Sequence, residues 1–335
     1  MSKSNRVFAA LRGQEVDRVP ASAWWHDFLR EWSPEGLAQA TLEAYRKYDW
    51  DFIKVNPRAS YYAEDWGSRF RPSGQPDRAP ELIEPAIKSP EQLRRIQPLD
   101  AAQGAYGEQL AALAIIARDL KGEAPFIQTV FSPLAVMSRL TGATALVQQF
   151  MREYRDDLLA ALDAVTDTLA AYARACLEQG ASGIFFATVE WGSADNISAE
   201  DYDRFARPFD LRVLGAVQSA PFNVLHVCRQ NNHLRRLLDY PVSAFHWAAP
   251  TGRQDAHSAS NPSLADIAAH TDRAIMGGVS LDSIAIGGSA AEVAAEARHA
   301  IEETGGRRFL LAPGCSISPQ TPEPHIRAML EAARP

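Results

Sequence analysis

Two residue types that bind zinc well, a histidine and a cysteine, stand one residue apart at His226 and Cys228. In an extended strand successive side chains point to opposite faces, so these two side chains share one face. Imidazole nitrogen and thiolate sulfur are both good zinc ligands, and two of them on one strand can occupy adjacent corners of a tetrahedron. An ordinary core with one buried histidine and one buried cysteine gives the same pattern, so the pair does not define a metal site by itself.

A third zinc ligand is available at Cys315, which follows the apolar run at 308–312. If both segments are strands of one parallel barrel, their carboxyl ends meet at the same face, where barrel enzymes carry their chemistry. Catalytic zinc usually has three protein ligands and one exchangeable position. Two thiolates already neutralise Zn²⁺, so a substrate thiolate at the open position leaves a net negative charge and stays nucleophilic. The set His226, Cys228 and Cys315 therefore predicts a zinc site that activates a thiol.

Two further polar residues, His246 and Glu190, are predicted to have catalytic or accessory roles. His246 ends the predicted strand that follows the one carrying His226, where it could be a fourth zinc ligand or a hydrogen-bonded core residue. Glu190 follows another predicted strand, and it could reach the metal, act as a base or remain a solvated carboxylate. The sequence leaves these alternatives open.

Aromatic and polar residues near other strand ends predict a small-molecule pocket. An apolar, aromatic pocket with a few polar groups is the usual form of such a site, although tryptophans at a barrel rim also serve packing alone. The residues predicted to bind substrate are Trp24, His26, Asn56, Trp191 and Trp247.

These side chains need a scaffold that brings strand ends together, and eight short apolar runs alternate with longer helical patterns along the chain. The predicted strands cover 19–24, 51–55, 125–131, 183–188, 223–227, 243–247, 273–278 and 308–312. Alternating βα units predict an α/β fold, a (β/α)8 TIM barrel formed as one domain by residues 1–335, with an N-terminal helical extension. A two-domain doubly wound sheet is the rival architecture, but the first strands are not followed by a glycine-rich phosphate loop.

One connection is too long for a simple βα link. Residues 61–100 are polar and rich in proline, and they predict an inserted lid-like loop over one barrel mouth. Helical patterns cover 142–179, as one helix or two, and also 290–304 and 322–333.

Composition excludes several classes of partner. The formal net charge of -7, with both signs interspersed, predicts no nucleic-acid partner and no anionic membrane surface. No signal peptide and no run of about 18 apolar residues is visible, so we expect a cytoplasmic protein. Three cysteines in a reducing compartment indicate metal binding or catalysis rather than disulfides, and Cys176 lies in a helical pattern where packing explains it.

The sequence resembles the uroporphyrinogen decarboxylase superfamily, and within it the zinc-dependent methyltransferases typified by methylcobamide:coenzyme M methyltransferases. The resemblance spans nearly the whole chain. Segments 6–13 (RVFAALRG) and 17–20 (DRVP) are typical of the superfamily. The His226-Val227-Cys228 motif, with segments 312–315 (APGC), 321–323 (TPE) and 326–329 (IRAM), is typical of the methyltransferase branch.

The resemblance implies a (β/α)8 barrel in which His226, Cys228 and Cys315 match the zinc ligands of the family. It also implies that a thiol binds the zinc and takes a methyl group from a methylated corrinoid, a cobalamin carried by a partner protein or used as a substrate. A folate acceptor is the alternative. The chain departs from the pattern at Arg229, where the methyltransferases commonly carry glycine. Cobalamin-independent methionine synthase has a similar ligand set with an acidic fourth ligand after the H-x-C pair, and near that position this chain has His246 instead.

Two other functions fit the same resemblance. A decarboxylase-like lyase would need several arginines after the first strand and an aspartate after the second. Segment 24–28 (WWHDF) has no arginine cluster, and segment 54–57 (KVNP) has no aspartate. A non-catalytic zinc-binding module that docks a corrinoid protein would have its metal closed by a fourth protein ligand such as His246.

Overall fold

Seven parallel strands form one sheet, and a separate antiparallel pair stands apart from it. The computed structural model describes residues 1–251, 258–285 and 287–334. The strands are β1 (Ile53–Val55), β2 (Arg69–Arg71), β3 (Glu81–Glu84), β4 (Phe126–Phe131), β5 (Gly183–Ala187), β6 (Val224–His226), β7 (Ala244–His246), β8 (Ala274–Val279) and β9 (Phe309–Pro313). The sheet order is β1-β4-β5-β6-β7-β8-β9, with β2 and β3 paired outside it.

Helices lie between most of these strands, as the βα pattern predicts. They are α1 (Lys3–Leu11), α2 (Pro34–Tyr48), α3 (Tyr61–Glu64), α4 (Pro90–Leu93), α5 (Gly104–Leu120), α6 (Pro133–Thr141), α7 (Thr144–Glu153), α8 (Arg155–Glu178), α9 (Ala199–Phe205), α10 (Arg207–Gly215), α11 (Leu264–Ala268), α12 (Leu281–Ile284), α13 (Ala290–Thr304) and α14 (Glu323–Ala332). The pattern at 142–179 divides into α7 and α8. Within the described ranges, no helix is both long and apolar enough to cross a membrane.

The first predicted strand, 19–24, is reduced to a single bridge at Ala21. The Leu311 N–H donates to the Pro20 carbonyl at 2.9 Å, and the Ser22 N–H donates to the Leu311 carbonyl at 3.1 Å. On the other side the Asp51 N–H donates to the Ala21 carbonyl at 3.0 Å. Pro20 has no N–H to extend the ladder. The segment nevertheless links β9 to the chain just before β1, so the sheet curls in a manner consistent with a TIM-type fold.

Alternation along the strands sorts the apolar residues into two clusters. Phe52 and Phe185 belong to a cluster on the inside of the curled sheet, whereas Ile53 and Ile184 belong to the larger cluster between sheet and helices. Adjacent strand residues therefore face opposite sides of the sheet, as the period of two requires. From α1, Val7 and Leu11 join the inner cluster.

A network of charged residues ties α1 to the segment that precedes β1. The Arg6 guanidinium donates to both oxygens of Asp17 and, at 2.7 Å, to Asp51 Oδ1. Arg18 donates to both oxygens of Asp51, at 2.6 and 2.9 Å, and the Ala21 N–H donates to Asp51 Oδ2. The Asp51 side chain is only 1% exposed. Its charge is therefore buried but fully paired.

The long connection at 61–100 has secondary structure of its own. It contains α3, the β2–β3 pair and α4. Leu82 of β3 lines a cavity together with Glu190 and Arg229, which follow β5 and β6. The insertion therefore reaches the edge of the sheet where the parallel strands end.

Candidate metal centre

His226 is the last residue of β6, and its position is fixed by the strands on both sides. It pairs in register with Ala187 of β5 and with His246 of β7. The Thr188 N–H and hydroxyl both donate to the His226 carbonyl at 3.1 Å. Cys228 follows two residues later. The imidazole of His226 is 3% exposed, so it lies inside the curled sheet at its carboxyl-terminal edge.

Cys315 reaches the same point from the end of β9. The Gly314 N–H donates to the Val279 carbonyl at 2.9 Å, which holds the turn against β8. A Cβ atom at Gly314 would lie 2.9 Å from Ala248 Cα, closer than real Cβ contacts allow. Glycine is therefore required at this position for the backbone to pass close enough to bring Cys315 to the site.

The three side chains converge on one point. Their ligand atoms all lie within 4.8 Å of one another. Cys315 Sγ is 3.5 Å from His226 Nε2, close to the roughly 3.6 Å that sulfur and nitrogen ligands span across a tetrahedral zinc ion. Cys228 Sγ is 2.6 Å from the same nitrogen, a hydrogen-bond contact. Two thiols and one imidazole form a donor set that fits zinc.

The two thiols do not have equal acidity. A hydrogen bond with Cys228 lowers the pKa of Cys315 well below its ordinary range, and His226 lowers it further. The same hydrogen bond, with burial, raises the pKa of Cys228. Cys315 is therefore the more acidic of the two thiols.

His246 lies behind His226. Its Nε2 is 2.9 Å from the Pro313 carbonyl, which can only accept, so Nε2 carries the proton. Burial lowers the pKa of His246 to about 3, and the ring is neutral. Its Nδ1 therefore accepts from the Nδ1–H of His226, at 2.7 Å. This leaves the His226 Nε2 lone pair directed at the cysteines, as a metal ligand requires.

Lys54 is a charged residue near the site that the sequence analysis did not single out. It is 6% exposed and lies on the inside of the sheet, over the rings of Phe185 and Trp24 at 4.9 and 5.8 Å. Its ammonium donates to Asn56 Oδ1. Burial lowers the pKa of Lys54 to about 7, opposed by the thiols of Cys315 and Cys228.

Two cavities lie near this centre. The first, here called the Lys54 cavity, has a volume of about 190 Å³, and its walls include Trp24, Trp25, Lys54, Asn56 and residues of α2. The second, here called the mouth cavity, has a volume of about 340 Å³. Its walls include Tyr62, Leu82, Arg139, Glu190 and Arg229.

Glu190 lies in a short 3-10 turn after β5, and its carboxylate is near enough to Cys228 to help raise the pKa of that thiol. The preceding residue, Val189, has φ 51°, a left-handed conformation that a β-branched residue rarely adopts. Such strain is commonly retained at functional sites.

The five residues predicted to bind substrate lie in three different settings. Trp24 and Asn56 line the Lys54 cavity. His26 Nδ1 lies 2.9 Å from the buried carboxylate of Glu31. Trp191 and Trp247 are fully buried in the layer outside the sheet, where their indole N–H groups donate to the Ser138 hydroxyl and the Pro262 carbonyl.

Comparison with known proteins gives the family. The family model for uroporphyrinogen decarboxylase (URO-D) matches residues 28–335. The chain belongs to the uroporphyrinogen decarboxylase family. The resemblance to this family, predicted from the motifs, is thus confirmed. The resemblance to its methyltransferase branch is confirmed as well, because the curated relatives that match over nearly the whole chain are named as methyltransferases.

Two of these relatives are methylcobamide:CoM methyltransferases. MtbA of Methanosarcina acetivorans is 25% identical over 347 residues, covering 98% of this chain and 96% of the relative. MtaA of Methanosarcina barkeri is 25% identical over 342 residues, with the same coverage. A solved methyltransferase from Methanosarcina mazei covers 99% of this chain and 98% of its own, with a TM-score of 0.78 and 22% identity. That structural match shows the shared fold.

Proposed function

We propose that this protein is a zinc-dependent methyltransferase that transfers a methyl group from a methylated corrinoid to a thiol. The observation that carries the proposal is the convergence of His226 Nε2, Cys228 Sγ and Cys315 Sγ at one partly buried point. The relatives named as methylcobamide:CoM methyltransferases support the reaction class. Folate is the alternative acceptor, but it would make no use of a site suited to binding a thiolate.

The arrangement of His246 favours a catalytic over a purely structural metal. Both ring nitrogens of His246 have protein partners, Pro313 and His226. Its role in the proposal is that of a positioning residue that holds the His226 ring and its tautomer. Three protein ligands then leave one coordination position of the zinc for a substrate. A docking module with a structural metal would need a fourth protein ligand.

The reaction needs a sulfur nucleophile and a route for its proton. Zinc bound by His226, Cys228 and Cys315 would lower the pKa of the acceptor thiol while keeping its sulfur nucleophilic. The sulfur–carbon bond forms as the cobalt–carbon bond breaks, and the electron pair of that bond stays on cobalt. We assign Glu190, at the mouth cavity near Cys228, as the group that accepts the thiol proton.

Two segments of the fold also have roles in the proposal. We propose that segment 20–22 serves as the eighth strand, which closes a (β/α)8 barrel formed as one domain by residues 1–335. We also propose that the 61–100 insertion is a lid over the mouth cavity, because Leu82 already forms part of its wall. Closure over the site would exclude water from the reacting thiolate.

Methyl transfer can be measured directly. Zinc-loaded protein is incubated with methylcobalamin and a panel of thiols, the cobalamin absorbance is followed, and the thioether is identified by mass spectrometry. We expect thiol-dependent demethylation that requires the bound metal, with one thioether formed per methylcobalamin consumed. Demethylation by no thiol, with zinc bound at one ion per chain, would contradict the proposal.

A further inference from the structure

Lys54 is a buried cation with an incomplete set of partners. It is 6% exposed, and it is flanked by the aromatic rings of Phe185 and Trp24. Among the described residues, its side chain donates one hydrogen bond, to the neutral side chain of Asn56. An ammonium group has three N–H donors, so two remain to be satisfied.

Two buried arginines in the described part of the chain are paired with carboxylates, unlike Lys54. Arg6 pairs with Asp17 and Asp51, and Arg58 pairs with Glu64 and Glu108. For Lys54, no carboxylate lies within 4.0 Å of Nζ in the part of the chain that the structure describes. A buried charge without an opposite charge is strongly unfavourable, so the position suits an anion supplied from outside the chain.

The Lys54 cavity gives such an anion a place to bind. Lys54 and Asn56 form part of its wall together with Trp24 and Trp25. Two carboxylates, Asp27 and Glu43, also line the cavity, and both are paired with Arg30. Asn56 Nδ2 is 3.3 Å from the hydroxyl of Ser316, the residue that follows Cys315. The cavity, at about 190 Å³, is smaller than the usual range for drug-sized ligands. It therefore fits a small molecule, and Lys54 in its wall is close enough to Cys315 and Cys228 to interact electrostatically with both.

The cysteines do not remove the need for an anion. Two thiolates and Zn²⁺ sum to zero charge, so a zinc-loaded centre has no net negative charge to pair with Lys54. An acceptor that carried a second, anionic group would supply it.

We propose that Lys54 is the specificity-determining residue for the acceptor: it binds the anionic group of a small thiol in the Lys54 cavity, and the sulfur of that thiol extends toward the metal centre and Glu190. The proposal rests on the proposed function only for the statement that this ligand is the methyl acceptor. The anion is a carboxylate or a sulfonate, because both accept hydrogen bonds from an ammonium.

The test compares two thiols with the same three-carbon chain, 3-mercaptopropionate, which ends in a carboxylate, and 3-mercaptopropan-1-ol, which ends in a neutral hydroxyl group. Their binding to zinc-loaded protein is measured by calorimetry for the wild type, Lys54→Met and Lys54→Arg. The matched control is Lys121→Met, which removes an exposed lysine at the end of α5. Zinc content and the thermal unfolding midpoint are recorded for each variant.

We expect the wild type and Lys121→Met to bind the acid at least tenfold more tightly than the alcohol. Lys54→Met should lose that preference while keeping its zinc, and Lys54→Arg should retain part of it. Equal affinity of the wild type for the two thiols would overturn the proposal, and so would an unchanged preference in Lys54→Met. The wild-type comparison decides the matter even if Lys54→Met does not fold.

The outcome also separates this inference from the proposed function. A Lys54-dependent preference for the acid without any thioether formation would support the anion site and contradict the proposed methyl transfer. Methylation of both thiols with equal KM in the wild type would support the methyl transfer and contradict the proposed role of Lys54.

Discussion

Two of the places where charged and polar side chains are buried in this molecule differ in how those groups are paired. Near the start of β1, Arg6, Arg18, Asp17 and Asp51 satisfy one another. At the carboxyl-terminal edge of the sheet, the ligand atoms of His226, Cys228 and Cys315 are crowded within 4.8 Å.

The difference indicates what each cluster is for. Groups that are fully paired within the chain gain nothing from a ligand, and their removal affects folding. The second cluster forms the proposed metal site, beside a lysine that has no carboxylate within 4.0 Å among the described residues, and this arrangement suits a bound ligand. The contrast predicts that substitutions at the first place change stability and leave the metal alone, whereas substitutions at the second do the reverse.

Replacement of a metal ligand should have the largest effect. In Cys228→Ser the thiolate is lost, and its share of the binding free energy corresponds to a loss of zinc affinity on the order of a thousandfold. Zinc content after dialysis and methyl transfer should both fall. Cys176→Ala is the matched control, because Cys176 is buried in α8 outside the site. Stoichiometric zinc in purified Cys228→Ser would show that the ligand set is wrong.

Replacement of the paired carboxylate should act on folding instead. Asp51→Asn leaves Arg6 and Arg18 without a buried counter-charge, and we expect about 3–5 kcal/mol less free energy of unfolding in urea. Zinc per folded molecule should not change. Asp119→Asn, which breaks an exposed ion pair with Arg46, should lose about 1 kcal/mol or less. A loss of zinc in folded Asp51→Asn would contradict the prediction that the charged network near β1 affects stability and not metal binding.

Replacement of the residue behind the ligand should have a smaller effect. His246→Phe removes the acceptor that fixes the His226 tautomer, so zinc affinity should fall about 10- to 100-fold. His246→Asn keeps an acceptor at the δ position and should recover part of the loss. Chelator competition measures both affinities. If the two variants bind zinc equally well, His246 does not act through the tautomer of His226.

Much of this architecture follows from local patterns. Seven of the predicted strands are present, because runs of alternating or continuous apolar residues bounded by turns identify strands well. The strand at 19–24 was too long in the prediction, since Pro20 removes one donor and Ala21 alone forms a bridge. The hairpin within 61–100 has exposed, charged strands, and it carries no apolar signal that predicts it.

The site shows both the use and the limit of alternation. His246 faces inward, so the same rule places the next residue, Trp247, outside the sheet. The rule also places Lys54 on the face of Phe52 and Asn56, which is the signal that would have found it. Within the described residues Lys54 has no carboxylate partner, and this depends on contacts between distant segments that local spacing does not specify.

X-ray absorption at the zinc edge tests the central claim most directly. The account predicts one zinc per chain with two sulfur neighbours near about 2.3 Å and lighter atoms completing the shell. Addition of a selenol analogue of the acceptor should then add a zinc–selenium distance while both sulfurs remain. A zinc shell with four protein ligands that a selenol leaves unchanged, or a single sulfur neighbour, would contradict the account.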